Sequence, residues 1–299
     1  MTKFKLFFTV IMMSLLIGCE QKSSTMTDDV VTIASKPMTE QFILTEMLAM
    51  LIEHDSHLQV KLEKGIGGGT ANIHPALLKG EVDIYPEYTG TAWFYVLKQP
   101  IQRDEAALLT ELKSRYHDDY NLEWLGLYGF NNTYGLAIRK SIVDTHKIKT
   151  YSDLAPYSAD YTLGAEYDFY EREDGYQSLA DTYGYHFKKK IDLDIGLKYP
   201  AINSAQVDVI NIFTTDGQLT SPEITVLEDD KHLYPNYYAG TVVRRATLEK
   251  HPELRTILLK MDGIINNQEM QQLNYQVEHE GKSDHEVAAA YLKMKGLLP

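Results

Sequence analysis

The stretch "GIGGGTANIHPALLKGEVDIYPEYTGT", residues 65–91, carries the pattern that decides the fold. A glycine-rich turn leads into a short helix that Gly80 ends, and "EVDIYP" then predicts a strand. Upstream, "VVTIAS" at 30–35 predicts another strand, and "TEQFILTEMLAMLIEH" at 39–54 predicts a helix with Thr39 as its N-cap. Strands that alternate with helices favour an α/β fold with a parallel sheet covered by helices.

The same alternation returns later in the chain. The segments "TYGLAIRK", "YTLGAEYDF" and "QVDVINIFTT" each predict a strand, and the last quarter, from about Leu248, has apolar residues at helical spacing. The 44% hydrophobic content is ample for a core. A chain of 299 residues with this content predicts one large or two medium domains.

The first 18 residues have the pattern of a secretory signal peptide. Lys3 and Lys5 precede an apolar run that is shorter than the roughly 20 residues needed to span a bilayer. "LIGC", which ends at Cys19, resembles a bacterial lipobox, in which the cysteine is lipid-modified and becomes the first residue of the mature chain. The alternative is an uncleaved anchor with an incidental cysteine. Polar residues 19–29 predict a flexible tether between membrane and folded body.

Charge and cysteine content exclude several partners. Removal of residues 1–18 takes away two lysines and no acids, so the formal charge moves from −13 to −15. Phosphate backbones and anionic lipid headgroups would be repelled by such a chain, which argues against nucleic acid as a partner. Cys19 is the single cysteine, so no intramolecular disulfide is possible.

Motifs for catalysis or cofactors are weak. The glycine-rich turn lacks the lysine of a Walker loop, and Thr70 stands where a dinucleotide fingerprint has its third glycine. This turn fits close backbone approach to a small ligand or to another lobe, or a purely structural role. The helix around His285 has Ala289 where a zinc protease has its second histidine, and no G-x-S-x-G elbow is present. We therefore predict no catalytic residues, no metal and no cofactor.

The tyrosines give a stronger signal. Of 21 tyrosines, several stand at predicted strand ends beside glycine, asparagine or proline: Tyr85, Tyr88, Tyr134, Tyr234, Tyr237 and Tyr238. In an α/β fold the ligand crevice lies at the carboxyl ends of parallel strands. Aromatic rings that surround such a crevice bind cations, quaternary ammonium groups above all. Half-buried packing with a wet hydroxyl explains any one tyrosine, but not the whole set.

These segments together resemble the substrate-binding lipoproteins of osmoprotectant ABC importers, the glycine betaine, carnitine and choline family. The resemblance rests on segments that appear in family order over residues 31–240: "SKPMTEQFIL", "GIGGGTANIHPALLKGEVDIYPEYTGT", "GFNNTYGLAIRK", "FTTDGQL" and "DDKHLYPNYYAG". It implies a two-lobed periplasmic-binding-protein-like α/β fold of type II, with a ligand cleft between lobes joined by hinge strands. The first lobe would comprise residues 30–131 plus 236–299, and the second residues 132–235.

The resemblance also implies ligand-binding residues. Tyr88, Tyr134 and Tyr237 match family tyrosines that form a cage around the trimethylammonium group. Phe213 stands where the family has a fourth tyrosine, so it keeps the ring and loses the hydroxyl. Gln41 and Thr91 match positions that hold the ligand's polar end, typically a carboxylate.

The implied function is capture of a quaternary ammonium solute such as glycine betaine, carnitine or choline. The protein, lipid-anchored on the outer face of the cytoplasmic membrane, would deliver this solute to a membrane permease that works with an ATPase subunit. One alternative is a different betaine on the same fold, such as ergothioneine, which adds a ring to the trimethylammonium head. A secreted hydrolase and a surface adhesion module are more distant alternatives.

Overall fold

The computed structural model describes residues 29–299 apart from residues 101 and 103. The predicted signal segment, Cys19 and residues 19–28 of the predicted tether lie outside the described residues. The described chain forms two lobes, each built on a five-stranded sheet with helices on its faces. The two-lobed α/β fold predicted from the sequence is thus confirmed.

The described residues form the following elements. The strands are β1 (Val30–Ala34), β2 (Gln59–Glu63), β3 (Ile84–Tyr88), β4 (Leu122–Leu125), β5 (Tyr134–Arg139), β6 (Thr162–Ala165), β7 (Lys189–Asp192), β8 (Val209–Phe213), β9 (Ile224–Val226) and β10 (Ala239–Arg244). The helices are α1 (Thr39–Asp55), α2 (Thr70–Lys79), α3 (Thr89–Thr91), α4 (Glu105–Tyr120), α5 (Lys140–His146), α6 (Tyr151–Leu154), α7 (Tyr167–Glu171), α8 (Tyr176–Tyr183), α9 (Lys198–Asn203), α10 (Arg245–Lys250), α11 (Glu253–Leu258), α12 (Asn267–Glu278) and α13 (Asp284–Met294). A π-helical turn, Ala92–Val96, follows α3.

The two sheets share one topology. The first lobe has the strand order β2-β1-β3-β10-β4, and the second has β7-β6-β8-β5-β9. In each sheet four strands run in the same direction, whereas the fourth in the order, β10 or β5, is antiparallel to both of its neighbours. The sequence predicted a parallel sheet, and the structure corrects this to a mixed sheet in each lobe. In the first lobe, for example, β10 begins at Ala239 beside the end of β3 at Tyr88, so it enters at the cleft edge and runs away from it.

The chain passes between the lobes twice, and the two crossing segments, residues 126–133 and 227–238, lie side by side. Asn131 and Tyr238 form an isolated antiparallel bridge. The Asn132 N–H donates to the carbonyl of Tyr237 at 3.1 Å, and the Asn131 side-chain oxygen accepts from the Tyr237 N–H at 2.7 Å. These bonds bring the first residues of β5 and β10 together at the cleft.

Helix α1 anchors the core of the first lobe. Ile43, Met47 and Leu51 are buried against α11–α13 and the sheet. Thr39 is not the N-cap, contrary to prediction. Met38 occupies that position, because its carbonyl accepts the first helical bond from the Phe42 N–H at 3.1 Å. Among the described residues, none of the helices has the length and apolar character needed to cross a membrane.

We expect Asn131→Ala to lower the free energy of unfolding by about 1–3 kcal/mol, because it leaves the buried Tyr237 N–H without an acceptor. The measurement is urea-induced unfolding followed by circular dichroism. Asn203→Ala is the matched control: Asn203 is exposed at the end of α9, and the change should stay within about 0.5 kcal/mol. Equal losses in the two variants would contradict a special role for the paired crossing segments.

Candidate ligand-binding site

A cavity of about 930 Å³ lies between the two lobes. Its walls come from the ends of β3, β6 and β8, from α3 and the π-helical turn after it, and from the crossing segments. The glycine-rich turn contributes Gly68 and Gly69, whose left-handed backbone carries no side chain into this space. The cavity therefore lies at the carboxyl ends of the parallel strands, where an α/β fold places its ligands.

The four predicted aromatic residues line this one cavity: Tyr88, Tyr134, Phe213 and Tyr237. Tyr134 lies directly opposite Phe213 in the β5–β8 register, with ring centroids 5.4 Å apart. The rings of Tyr134 and Tyr237 meet at 70° with centroids 5.9 Å apart, so they form a corner. Tyr134, Phe213 and Tyr237 therefore form one aromatic cluster on the cavity wall.

Of the two predicted polar residues, Thr91 lines the cavity and Gln41 does not. Gln41 is buried on α1, and neither its amide oxygen nor its amide nitrogen has a hydrogen-bond partner among the described residues. Buried amides are rarely left unpaired in this way, and a glutamine side chain offers two acceptor lone pairs and two N–H donors.

Gly90 leaves the space that the Tyr237 ring occupies. It lies in α3, directly after β3, and a Cβ atom built at this position would be 2.5 Å from Cδ1 and Cε1 of the Tyr237 ring. No side chain fits between the turn and the ring without moving the ring. The Tyr-Thr-Gly-Thr turn thus positions an aromatic wall that comes from a residue almost 150 positions later in the chain.

The other aromatic residues of residues 80–97 divide between core and cavity. Tyr95 lines the cavity, whereas Tyr85 and Trp93 are buried in the core of the first lobe. The indole N–H of Trp93 donates to the carbonyl of Pro100 at 2.7 Å. Tyr85 and Trp93 therefore stabilise the lobe and do not face the ligand space.

One wall of the cavity carries a buried cation. Lys36 forms an ion pair with Glu87, and its ammonium nitrogen lies 4.7 Å from the ring centroid of Tyr88. The second oxygen of Glu87 accepts from the Thr70 hydroxyl at 2.6 Å. Burial lowers the pKa of Lys36, and the Glu87 carboxylate opposes this shift. Sequence reasoning missed Lys36, which resembles an ordinary loop lysine before a helix.

The wall contributed by the second lobe is acidic. Its carboxylates that line the cavity are Glu166, Asp168, Glu171, Glu173, Asp174, Asp192 and Asp194. Glu166 is paired with Lys198, and Arg172 is paired with Asp174. The remaining five carboxylates have no ion-pair partner among the described residues, so this wall attracts positive charge.

Two contacts cross the cavity from the turn that follows α7. Arg172 binds Asp174 through two nitrogens, at 2.8 and 2.6 Å, and its guanidinium lies 5.7 Å from the ring centroid of Tyr95 in the first lobe. Asp174 accepts the phenolic hydrogen of Tyr237. Gly175 allows this turn to pack closely, because a Cβ atom there would lie 2.1 Å from the carbonyl oxygen of Phe169.

A buried carboxylate behind Tyr88 was also missed from the sequence. Glu40, in the first turn of α1, accepts the Tyr88 phenolic hydrogen at 2.6 Å. Burial raises its pKa, while hydrogen bonds from Thr215, Tyr88 and Asn132 lower it. An acidic residue in a first helical turn is common, so the sequence offered no signal that distinguished Glu40. Within the described part of the chain, no group of three or more His, Cys, Asp or Glu residues could hold a metal ion.

Comparisons with known proteins agree with this geometry. Residues 29–294 match the family model described as the substrate-binding domain of ABC-type glycine betaine transport systems. The chain is 46% identical over 265 residues to an ergothioneine transport permease/ergothioneine binding protein of Helicobacter pylori, covering 89% of this chain and 47% of that protein. It is 34% identical over 267 residues to a carnitine transport binding protein of Listeria monocytogenes, covering 89% of this chain and 86% of that protein.

A solved structure described as a glycine betaine/carnitine/choline ABC transporter superposes with a TM-score of 0.74 at 33% identity, and the match covers 89% of this chain and 99% of that one. The chain spans less than half the length of the Helicobacter pylori protein, but most of the length of the other two. The family match and the fold agree over nearly all described residues. The chain belongs to the family of substrate-binding domains of ABC-type glycine betaine transport systems.

Proposed function

We propose that this protein captures a small quaternary ammonium compound between its lobes and delivers it to the permease of an ABC importer. The observation that carries the proposal is the cavity of about 930 Å³, which four aromatic residues and an acidic wall line together. Each ring that faces a desolvated cation contributes about 0.5–2 kcal/mol. Three or four rings therefore supply a useful part of the roughly 8 kcal/mol of micromolar binding.

The charge distribution favours a zwitterion over a simple cation. The aromatic rings, Tyr88 among them, and the acidic wall of the second lobe suit the trimethylammonium end, and Lys36 with the Thr91 hydroxyl suits a carboxylate. Gln41, buried on α1, is proposed to bind this end as well. A ligand with both charges would gain contacts from the two lobes at once and would favour the closed arrangement. We place the lobe boundaries at 131/132 and 235/236, within the paired crossing segments.

A second candidate is a betaine that carries a ring, such as ergothioneine. The favouring observation is the 46% identity to a protein named for ergothioneine, against 34% for one named for carnitine. The Glu166 carboxylate, which lines the cavity, suits ring N–H donors: it accepts from Asn211 at 2.5 Å and keeps further lone pairs. Titration against ergothioneine, glycine betaine, carnitine and choline separates the two candidates.

The same proposal covers location and chemistry. The protein acts outside the cytoplasm, anchored through a lipid on Cys19, and it is not an enzyme. A secreted hydrolase would turn over its ligand, whereas a capture protein returns it unchanged. Recovery of intact ligand after prolonged incubation, checked by mass spectrometry, is the expected result.

We expect Tyr134→Ala to weaken binding of the best ligand in that panel at least tenfold, because it removes the ring that contacts both Phe213 and Tyr237. Isothermal titration calorimetry of residues 20–299 measures the change. Tyr134→Phe is the matched control and should bind within about threefold of wild type, since no hydrogen bond of the Tyr134 hydroxyl is present among the described residues. Absence of binding by folded wild-type protein to all four compounds would refute quaternary ammonium capture.

Gly90→Ala should weaken the same ligand roughly tenfold or more while the protein stays folded. Alanine suits the helical backbone of α3, but its methyl group would displace the Tyr237 ring from the cavity wall. Calorimetry gives the affinity, and circular dichroism checks the fold. Gly196→Ala is the matched control, because a Cβ atom at Gly196 would meet no atom within 4 Å. Wild-type affinity in Gly90→Ala would contradict the conclusion that Gly90 is needed to position the Tyr237 ring.

A further inference from the structure

Glu40 is a carboxylate with an unusual environment. Its residue is 3% exposed, and it accepts three hydrogen bonds, from Tyr88 at 2.6 Å, from Asn132 at 2.8 Å and from Thr215 at 2.6 Å. Within the described chain, no lysine, arginine or histidine nitrogen lies within 4.0 Å of it. Glu40 is therefore a buried carboxyl group with polar partners but no counter-charge.

Such an arrangement is unfavourable for folding. Hydrogen bonds offset part of the loss of hydration, but a buried charge without an opposite charge remains costly. The start of α1 supplies only the partial positive charge of a helix end. The nearby Asp216 adds a negative charge, which raises the pKa of Glu40 further. Because its burial without a counter-charge opposes folding, Glu40 is better explained by a role in function.

Tyr88 connects Glu40 to the ligand cavity. The Tyr88 hydroxyl donates to Glu40, and the ring itself lines the cavity. The Lys36 ammonium lies 4.7 Å from the centroid of this ring, but its charge is matched by Glu87. A cationic ligand beside Tyr88 would be within Coulombic range of Glu40 in a medium of low dielectric constant.

We propose that Glu40 is the buried counter-charge of the ligand's ammonium group, and that the charge left uncompensated in the empty protein is compensated only when a cationic ligand occupies the cavity. This inference rests on the proposed function. It adds a specificity-determining residue that touches the ligand space through Tyr88 and not directly.

The same residue ties ligand binding to the arrangement of the lobes. Glu40 belongs to the first lobe, Asn132 to a crossing segment, and Thr215 to the second lobe, directly after β8. The carboxylate thus contacts every part of the molecule that moves if the lobes open. A lobe opening that separates Thr215 from Glu40 would remove one of three hydrogen bonds from a buried charge.

The decisive variant is Glu40→Gln, which removes the charge and keeps the shape. The glutamine oxygen can accept from Tyr88 and Asn132, which share one carboxylate oxygen. The glutamine nitrogen can donate to the Thr215 hydroxyl, because a hydroxyl both donates and accepts. A purely structural role for Glu40 predicts loss of stability, whereas a counter-charge role predicts loss of affinity without loss of stability.

The experiment measures the unfolding temperature of the empty protein and the dissociation constant for whichever of glycine betaine, carnitine, choline and ergothioneine wild type binds most tightly. We expect Glu40→Gln to unfold at the same or a higher temperature and to bind at least tenfold more weakly. Glu123→Gln is the matched control: Glu123 pairs with Arg255 away from the cavity, and its affinity should stay within twofold of wild type.

Each other outcome overturns the inference. Affinity of Glu40→Gln within twofold of wild type would show that the charge does not act on the ligand. A lower unfolding temperature together with weaker binding would assign Glu40 a structural role. Failure of wild type to bind any of the four compounds would reject the proposed function as well, so the two failures are distinguishable.

Discussion

The pairing of the two crossing segments is the constraint on which the site depends. Asn131 bonds to the backbone of Tyr237, and this contact fixes the points at which the chain enters each lobe. Tyr134 begins β5 at one entry point, and Tyr237 lies just before Tyr238 and the start of β10 at the other. Their rings meet at a corner because the backbone that carries them is already joined. The aromatic walls are thus a consequence of how the chain passes between the lobes.

The buried charges around the cavity differ in how they are balanced. Lys36 and Glu87 balance each other, and Arg172 and Asp174 do the same on the opposite wall. Glu40 has hydrogen bonds alone. If the charge of the empty site is not fully compensated, a ligand that compensates it changes the free-energy difference between the open and closed states. A protein that has to bind and then release its ligand gains from this dependence. Stability and function make opposite demands on such a residue.

The sequence predicted the lobes, the cleft and four aromatic walls, because strand patterns and family segments are local along the chain. It did not predict the antiparallel fourth strands, since strand direction depends on where the chain enters a lobe. Glu40 was missed because its partners lie 48, 92 and 175 positions away, so no local pattern marks it. Asp174 was missed for the same reason, because its contact with Tyr237 joins distant segments. Thr39 was assigned as a cap by residue type, whereas the backbone bond from Phe42 to Met38 decides where α1 begins.

Phe213 shows how one wall of the cage can differ from the others. The ammonium of Lys198 lies 4.7 Å from its ring centroid and is held by Glu166, and Lys198 is only 1% exposed. The protein's own cation therefore uses the Phe213 π-system. Under the proposed function, the Phe213 ring adds an apolar face to the cavity and lacks the hydroxyl with which a tyrosine would bind a polar group of the ligand. We therefore expect the change from tyrosine to phenylalanine to affect which betaine fits more than whether a cation binds.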